Sequence, residues 1–388
     1  MLQQSGQMLS PAQTPGQAAV VRQRTSYAHG NSRCAKNRAG EWLNFSSNDY
    51  LGLATDKRLV AAARQALERY GVGSGGSQFI SGYHPLHAEL EQRLAEFTGR
   101  DRALLFASGY QANLGTFTAL LKRHDNVFPD RLVHASIIDA LRLSHVALRR
   151  FAHNDMTQLQ DLLAHASQPA RTTWIISEAV FSMEGDSPPF TLLSELAAGA
   201  NANVVVDDAH GFGVNGPQGR GSLAAHGLGQ QQVPIMVGTL GKACGVSGGF
   251  VAGRRDLIDF IEQRARSLIY STAPVPALAA AALTALDIVA AEQWRRDDLL
   301  ALIDYWRQAA AARGWSLLPS ASAIQPLWVG SNAAAMRVSV GLQARGLLVP
   351  AIRPPTVPAG QARLRISLSA AHRRADVDQL LAALDSLL

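Results

Sequence analysis

The chain has 388 residues, of which 47% are apolar and 17% charged, and its formal net charge is +6. That much apolar surface requires a buried core, which excludes a disordered protein and predicts roughly two or three domains. No apolar stretch reaches the roughly 20 residues of a membrane span, the N-terminus lacks a secretory pattern, and two cysteines are too few for a disulfide framework, so we expect a cytoplasmic protein.

The N-terminal arm, residues 1–43, differs from the rest of the chain in composition. Residues 1–20 hold five Gln and no charged residue, which predicts disorder. The first 40 residues hold five basic residues and no acidic one, so they carry +5 of the net charge of +6. Such a segment is either a solvated tail or a surface for an anionic substrate or an acidic partner. No stripe of basic and aromatic residues accompanies it, which argues against nucleic-acid binding.

The globular part begins with two predicted helices. Apolar residues recur at helical spacing over 57–70 and over 85–98. Gly71 and Gly99 follow these segments at positions suited to helix C-terminal caps, and Pro85 suits a first helical turn. We therefore expect each segment to be one complete helix.

Short apolar runs then alternate with helical stretches. The runs are continuous rather than alternating, which is typical of parallel strands that are buried on both faces. We predict strands over 103–107, 132–134, 173–177, 204–206, 235–238 and 249–252, with helices that include 136–143 and 189–200. The fold class is therefore α/β, with a mainly parallel sheet in a large domain that spans 44–275.

The last part of the chain has another pattern. We predict a long helical stretch over 276–313, strands over 323–329 and 362–369, and a final helix over 375–387. This order indicates a smaller C-terminal α+β domain that spans 276–388.

The polar residues that follow each strand are candidate site residues, because ligands bind beyond the carboxyl ends of the strands in open α/β sheets. The buried run 204–206 is followed by Asp207 and Asp208 and, after Ala209, by His210. A carboxylate at the mouth of a buried strand is costly unless it meets a cation, such as a protonated pyridine nitrogen or a metal ion. The alternative is a strand-end Asp that caps the following loop.

Lys242 lies in a run of small residues, 238–249, after another buried strand. A lysine in such a place can form a Schiff base with an aldehyde cofactor, whereas the alternative is a surface lysine in a flexible loop. The other strand ends add backbone N–H groups near Gly109 suited to a phosphate, then His134, and then Glu178 with Ser182. Together these residues predict a polar cofactor pocket with a phosphate end and a lysine, and no metal site.

Eight stretches of the chain resemble the α-oxoamine synthases, which are pyridoxal 5′-phosphate (PLP) enzymes of the aminotransferase-like fold type I. The stretches are 44–53, 73–91, 108–115, 134–144, 181–189, 206–222, 238–250 and 352–372. The resemblance runs from about Asn44 to Leu387. It implies a large PLP-binding domain, a smaller C-terminal domain, and a homodimer with active sites at the subunit interface.

The resemblance also implies roles for individual residues. Lys242 would bind PLP covalently and later act as a base, and Asp207 would pair with the pyridine nitrogen. His210 would hydrogen-bond the phenolic oxygen of the ring, and His134 would stack on the ring. The other implied contacts are to the pocket wall and ring (Gly109, Tyr110, Ser182), to the phosphate (Thr239, with Ser271 and Thr272 of a neighbouring subunit) and to substrate (Arg22 or Arg24, His134, Thr356).

Within this family, the chain is most similar to members that condense L-alanine with a pimeloyl thioester, with loss of CO2, in biotin biosynthesis. The thioester carrier is coenzyme A or acyl carrier protein, and an acidic carrier would suit the basic arm. The sequence Asp-Asp-Ala-His at 207–210 and the segment 352–360 favour these members over glycine-using ones of the 2-amino-3-ketobutyrate ligase type. A non-catalytic regulatory protein of this fold is a further alternative, against which the retained lysine, aspartate and histidines of the predicted site argue.

Overall fold

The computed structural model describes residues 24–27, 29–30, 32–166 and 172–388. Arg22 and the segment 1–20, for which the sequence predicts disorder, lie outside the described residues. The strands, in chain order, are β1 (His29–Gly30), β2 (Cys34–Asn37), β3 (Gly40–Asn44), β4 (Arg102–Phe106), β5 (Asn126–Pro129), β6 (Thr173–Glu178), β7 (Asn203–Asp207), β8 (Ile235–Thr239), β9 (Gly249–Gly253), β10 (Ile324–Gly330), β11 (Leu347–Leu348), β12 (Ala351–Ile352) and β13 (Ala362–Ser367). The helices are α1 (Lys57–Tyr70), α2 (Pro85–Thr98), α3 (Gly109–Leu120), α4 (Ala135–Leu143), α5 (Met156–Ala164), α6 (Phe190–Gly199), α7 (Ser222–Ala225), α8 (Arg255–Glu262), α9 (Arg266–Ile269), α10 (Pro276–Ala291), α11 (Gln293–Ala312), α12 (Asn332–Ala344) and α13 (Arg374–Asp385), with a short 3₁₀ turn at Pro217–Gly219.

Six strands form the main sheet in the order β4–β9–β8–β7–β6–β5. Strands β5 to β8 are parallel to one another, and β9 runs antiparallel to both of its neighbours. The prediction of a mainly parallel sheet is therefore confirmed. Side chains alternate along β7, so that Val204 and Val206 join one core cluster whereas Val205 joins the other. Both faces of the sheet are thus buried, which explains the continuous apolar runs.

The two helices at the start of the globular part, α1 and α2, have the predicted bounds. Asp56 caps α1, because its side chain accepts a hydrogen bond from the Arg58 N–H, and α1 ends at Gly71. Helix α2 ends at Gly99, which adopts the left-handed conformation that glycine tolerates best. Residues next to each helix therefore define where it begins and ends.

The predicted strand at 132–134 is wrong. The strand in this region is β5, and the chain then turns so that the His134 side chain caps the start of α4. Val133 is buried in the same core cluster as Ile137, outside the sheet. Burial beneath a helix therefore explains an apolar run that was interpreted as a strand.

The helical stretch predicted over 276–313 is confirmed, and it consists of two helices. Helices α10 and α11 meet at Glu292 with a bend of 70° between them. No Gly or Pro marks the break in the sequence. Within the described ranges, no single helix is long and apolar enough to span a membrane, and only the bent pair α10 and α11 together has the necessary length and composition.

The C-terminal part carries a second sheet, in which β10, β13 and β12 are antiparallel neighbours. A third sheet joins distant parts of the chain: β1, β2 and β3 are antiparallel, and β3 pairs in parallel with β11. Arg33 strengthens this junction by donating to both carboxylate oxygens of Asp376, at 2.7 and 2.8 Å. Helix α10 packs against α1 and α2, and the division into domains 44–275 and 276–388 stays a prediction.

Candidate active site

The carboxyl ends of β6, β7 and β8 face one cavity of about 160 Å³. Its wall is formed by Gly109, Tyr110, Asn113, His134, Ser136, Glu178, Asp207, Ala209, His210, Thr239 and Lys242. Most of the residues expected from the sequence therefore meet at one place: Gly109, Tyr110, His134, Asp207, His210, Thr239 and Lys242. Their individual roles stay predictions, but their convergence is where a parallel sheet binds its ligand.

Asp207, the last residue of β7, is held by two donors. The Ala209 N–H donates to its Oδ1 at 2.9 Å, and the Asn113 side-chain amide donates to its Oδ2 at 2.7 Å. Hydrogen bonds of this kind stabilise the ionised form of a carboxyl group. The cavity therefore contains a fixed, buried negative charge that can pair with a cation.

The next residue, Asp208, points away from the cavity. It accepts hydrogen bonds from the backbone N–H of Ser222 at 2.6 Å and from the Ser222 hydroxyl at 2.7 Å. Burial raises the pKa of Asp208 to about 7, although the bonds from Ser222 oppose that rise. Asp208 thus supports the loop before α7, whereas Asp207 serves the cavity.

Lys242 lies in the loop that connects β8 with β9. Burial lowers the pKa of Lys242 to about 8, and the neighbouring carboxyls of Asp207 and Glu178 offset part of this effect. About one amine in ten is then uncharged at pH 7, far more than for an ordinary lysine. An uncharged amine is a nucleophile and a base, so the environment prepares Lys242 for covalent chemistry.

Two imidazoles complete the polar wall. His134 Nδ1 lies 2.7 Å from the Ser136 hydroxyl, and His210 Nδ1 lies 2.7 Å from the Tyr50 hydroxyl. Burial lowers the pKa of His134, and it lowers the pKa of His210 well below its ordinary value. Both rings are therefore neutral at neutral pH, and each is oriented by a hydroxyl group.

The first turn of α3 forms another side of the cavity, and its backbone N–H groups suit a phosphate. The Ser108 side chain caps this helix by accepting from the Gln111 N–H. Gly249, on β9, passes close behind, because a Cβ there would lie 2.5 Å from the carbonyl carbon of Ser108 and overlap the nitrogen of Gly109. Glycine at this position therefore lets the sheet and the helix start meet.

A partly buried histidine forms ion pairs with the carboxylates of two loops next to the sheet. His153 contacts Asp130 Oδ1 at 3.2 Å through Nδ1 and Asp186 Oδ2 at 2.9 Å through Nε2. Burial alone would lower the pKa of His153, but the two carboxylate partners outweigh it and raise the pKa to about 10. The charged ring joins the loop that leads to His134 with the loop that contains Ser182.

Several expected site residues do not line the cavity. The carbonyl of Ser182 accepts a hydrogen bond from Arg365 Nε at 2.7 Å, and Thr356 is exposed in the loop after β12. Arg24 is exposed near the beginning of the described residues, whereas Arg22 lies outside them. Their expected contacts with cofactor or substrate stay predictions.

Ser271 and Thr272, expected to serve a neighbouring subunit, follow α9. They lie beside the loop 71–82, where Thr272 forms an antiparallel bridge with Ser77. Neither residue lines the cavity of its own chain. Their role across a subunit interface stays a prediction.

Sequence reasoning missed two residues that hold the site together. Asn113 lies one turn after Tyr110 on the buried side of α3, and a buried amide among apolar neighbours was the available sign. Tyr50 contacts His210, which is 160 positions away in the sequence. The spacing of residues in the sequence does not indicate such a contact, so it is visible only in the folded structure.

Two buried atoms of the cavity wall lack a hydrogen-bond partner within the described ranges, namely Asn113 Oδ1 and Glu178 Oε1. Buried polar atoms without partners are rare in native proteins, and they are typical of sites that a bound group completes. In the same part of the chain, no three His, Cys, Asp or Glu side chains are grouped so that they could hold a metal ion.

The sequence model of the aminotransferase class I and II family matches residues 40–384, so the chain belongs to this family. The chain is similar to curated 8-amino-7-oxononanoate synthases. The protein from Herminiimonas arsenicoxydans is 51% identical over 89% of each chain. That from Marinobacter nauticus is 50% identical over 88% of this chain and 86% of its own length.

Two solved structures have the same fold over most of the chain. A serine palmitoyltransferase from S. paucimobilis with a bound PLP–myriocin aldimine superimposes with a TM-score of 0.89 and 30% identity, covering 92% of this chain and 90% of its own. The 8-amino-7-oxononanoate synthase from Francisella tularensis has a TM-score of 0.78 and 30% identity, covering 89% and 96%. The prediction of an aminotransferase-like fold type I is confirmed.

Proposed function

We propose that the chain is a PLP-dependent acyltransferase that condenses L-alanine with a pimeloyl thioester to give 8-amino-7-oxononanoate and CO2 in biotin biosynthesis. Relatives that are about 50% identical over nearly nine-tenths of the chain are named 8-amino-7-oxononanoate synthase. The observation that carries the proposal is the placement of Lys242 and Asp207 in one cavity. Catalysis by this fold needs both groups, which argues against a non-catalytic protein.

The cavity fits PLP in each of its chemical parts. Asp207 offers a fixed carboxylate to a protonated ring nitrogen, and Lys242 offers an amine with a lowered pKa to the aldehyde. The first turn of α3, at Gly109, offers backbone donors to the phosphate. Thr239 lines the same cavity, and its hydroxyl donates to the Gly248 carbonyl at 2.9 Å. When bound, PLP withdraws electrons from the α-carbon of an amino acid, so that this carbon becomes acidic.

Proton transfer is the part of the reaction that Lys242 performs. Its Nζ exchanges a proton readily near neutral pH, because burial brings the pKa of Lys242 to about 8. His210 is kept neutral by burial and oriented by Tyr50, so it contributes a directed hydrogen bond rather than a competing charge. His134, which is oriented by the Ser136 hydroxyl, also lines the cavity and is proposed to stack on the ring of PLP.

We also propose a cytoplasmic homodimer whose active sites lie at the subunit interface. Apolar side chains next to the predicted intersubunit residues Ser271 and Thr272 support this proposal: Tyr270 is 70% exposed, and Val72 and Ile80 are 82% and 85% exposed. The loop 71–82 and the segment after α9 are in contact, which brings the segments that carry these side chains together. Exposed apolar patches are typical of surfaces that bind another protein.

Arg22 or Arg24 is proposed to hold the free carboxylate of the pimeloyl group, and Thr356 to contact the substrate. Loss of a charge-assisted hydrogen bond should raise the KM for the thioester roughly tenfold or more in Arg22→Ala or Arg24→Ala. The KM for alanine should hardly change. Lys36→Ala is the control, because Lys36 already pairs with Glu41 at 3.5 Å. If all three substitutions weaken thioester binding equally, and if high salt abolishes these effects, the basic arm instead docks an acidic carrier protein.

Steady-state assays with a panel of amino acids test the proposed function. The purified enzyme is incubated with pimeloyl-coenzyme A, pimeloyl-acyl carrier protein or a short acyl-coenzyme A, together with L-alanine, glycine or L-serine, while CO2 and the product are measured. We expect turnover with L-alanine and a clear preference for one carrier. Turnover with glycine and a short acyl thioester alone would establish the 2-amino-3-ketobutyrate ligase alternative and contradict the proposal.

A further inference from the structure

Glu178 is a buried carboxyl group of the cavity to which the proposed reaction assigns no role. It is the last residue of β6, and the strand register places it opposite Asp207 on β7. Neighbouring parallel strands lie about 4.8 Å apart, and both side chains line the cavity. Two carboxyl groups therefore lie side by side at the edge of the sheet.

The two carboxyl groups differ in their hydrogen bonds. Both oxygens of Asp207 accept from firm donors, the Ala209 N–H and the Asn113 amide. Glu178 is 3% exposed, and its Oε1 has no partner in the part of the chain that the structure describes. An ionised carboxyl group needs donors when it is buried, so this environment favours the charge on Asp207 and the proton on Glu178.

The balance of burial and neighbouring charges also favours the neutral form of Glu178. Burial raises the pKa of Glu178 well above its ordinary value, and the neighbouring Asp207 carboxylate raises it further. Lys242 and the backbone N–H of His134 oppose these effects, whereas Glu184, in the following loop, adds to them. Burial and Asp207 outweigh the opposing groups, so the neutral form prevails at neutral pH.

We infer that Glu178 is a positioning residue that remains a neutral carboxylic acid in the working enzyme, so that Asp207 is the single negative charge facing Lys242 and the cofactor. The inference rests on the proposed function, because it concerns the PLP site. A second negative charge would hold the Lys242 amine in its protonated form and make it a poorer nucleophile and base. Glu178 would thus fix the pH range in which Lys242 works.

Infrared spectroscopy of the PLP-loaded, full-length enzyme tests the protonation state. At pH 7, the protonated-carboxyl absorption of the wild type should exceed that of Glu178→Gln by one carboxyl group, because Glu91 and Asp208, whose pKa values are about 7, contribute to both spectra. Glu195→Gln, an exposed position on α6, is the matched control and should keep the full absorption. A spectrum of Glu178→Gln identical to that of the wild type in this region would overturn the inference.

The pH midpoint of the cofactor absorbance, which reports the proton held at the Lys242 nitrogen, is the second readout. Gln has the same shape as a neutral Glu, so Glu178→Gln should leave the midpoint within about 0.3 unit. If Glu178 were ionised, the substitution would remove a negative charge beside Lys242 and lower the midpoint by about 1–3 units. That shift would contradict the inference.

The role of Glu178 can be tested even if Glu178→Gln is unstable, and separately from the proposed function. If Glu178→Gln does not fold, the Glu91→Gln variant labelled with ¹³C-glutamate decides at pH 7, because it removes the second buried glutamate, whose pKa is about 7. A remaining labelled carboxyl band then supports the inference, and its absence overturns it. Failure to bind PLP at all would refute the proposed function instead, whereas PLP binding without the band would refute only the role of Glu178.

Discussion

Replacing Asp207 and Asp208 by Asn, one at a time, separates the charge of the site from the support of the fold. Asp207→Asn removes the carboxylate that faces the cavity. Asn113 has an unpartnered Oδ1, so its amide can rotate and accept from the new side-chain NH2. The substitution therefore exchanges a charge-assisted hydrogen bond for a neutral one, at about 1 kcal/mol of folding stability. Turnover should fall about 10²–10³-fold or more, because a preorganised charge is lost.

Asp208→Asn should have the opposite profile. Asp208 accepts from the N–H and the hydroxyl of Ser222 at 2.6 and 2.7 Å, and it is fully buried. An amide NH2 in place of one oxygen faces a donor and leaves it unsatisfied, at about 2–3 kcal/mol. The side chain does not line the cavity, so kcat should stay within about threefold of the wild type.

Urea unfolding and steady-state kinetics on the same preparations check both variants. PLP content, followed by absorbance, ensures that the compared enzymes are loaded. The reasoning requires that Asp207→Asn loses kcat with a small change in stability, and that Asp208→Asn loses stability with a small change in kcat. Equal kcat losses at the two positions would refute the assignment of the charge to Asp207.

Three other substitutions test the remaining parts of the site. Lys242→Ala should bind PLP without a covalent bond and lose turnover, and borohydride should fix the cofactor to Lys242 of the wild type only; labelling of another lysine would contradict this role. The pKa of His153 in the folded protein is about 10, so its ion pairs stabilise the fold fully below about pH 6 and lose this effect as the pH rises towards 10. His153→Asn should therefore lower the unfolding free energy by at most about 5 kcal/mol at pH 6 and by little at pH 10. Equal losses at both pH values would show that the charge is irrelevant. Gly249→Ala should displace the first turn of α3 and weaken PLP binding measured by titration, whereas Gly199→Ala, with open space around it, should not; normal PLP affinity in the first variant would disprove the close approach.

Local patterns predicted the parts of the molecule that local forces determine. Helices α1 and α2 were predicted correctly because their caps and apolar faces are written in neighbouring residues. The break at Glu292 was missed because no Gly or Pro accompanies it, and packing against other elements decides where α10 ends. The run at 132–134 was misassigned because burial under α4 and burial in a sheet produce the same apolar composition.

The candidate site, like the fold, was predicted in part. Strand ends in an α/β sheet converge by topology, so Asp207 and Lys242 could be brought together without coordinates. The residues that orient these two side chains and the histidines could not be predicted from the sequence. Asn113 reaches Asp207 from a helix 94 positions earlier, and Tyr50 reaches His210 from a loop 160 positions earlier. These contacts depend on the depth and angle at which elements pack, for which spacing contains no information.

The pairing of β3 with β11 has a consequence for the order of synthesis. The residues of β3 leave the ribosome early, but their parallel partner, Leu347–Leu348, is about 300 residues further along the chain. At roughly 5–20 residues per second, β3 waits about 15–60 s for that partner. The main sheet and its helices are translated within this interval, whereas the sheet that joins the two ends cannot close until translation is nearly finished. A nascent chain stalled before Leu347 would therefore expose an unpaired strand edge, the form of this protein most open to capture by a chaperone or by another copy.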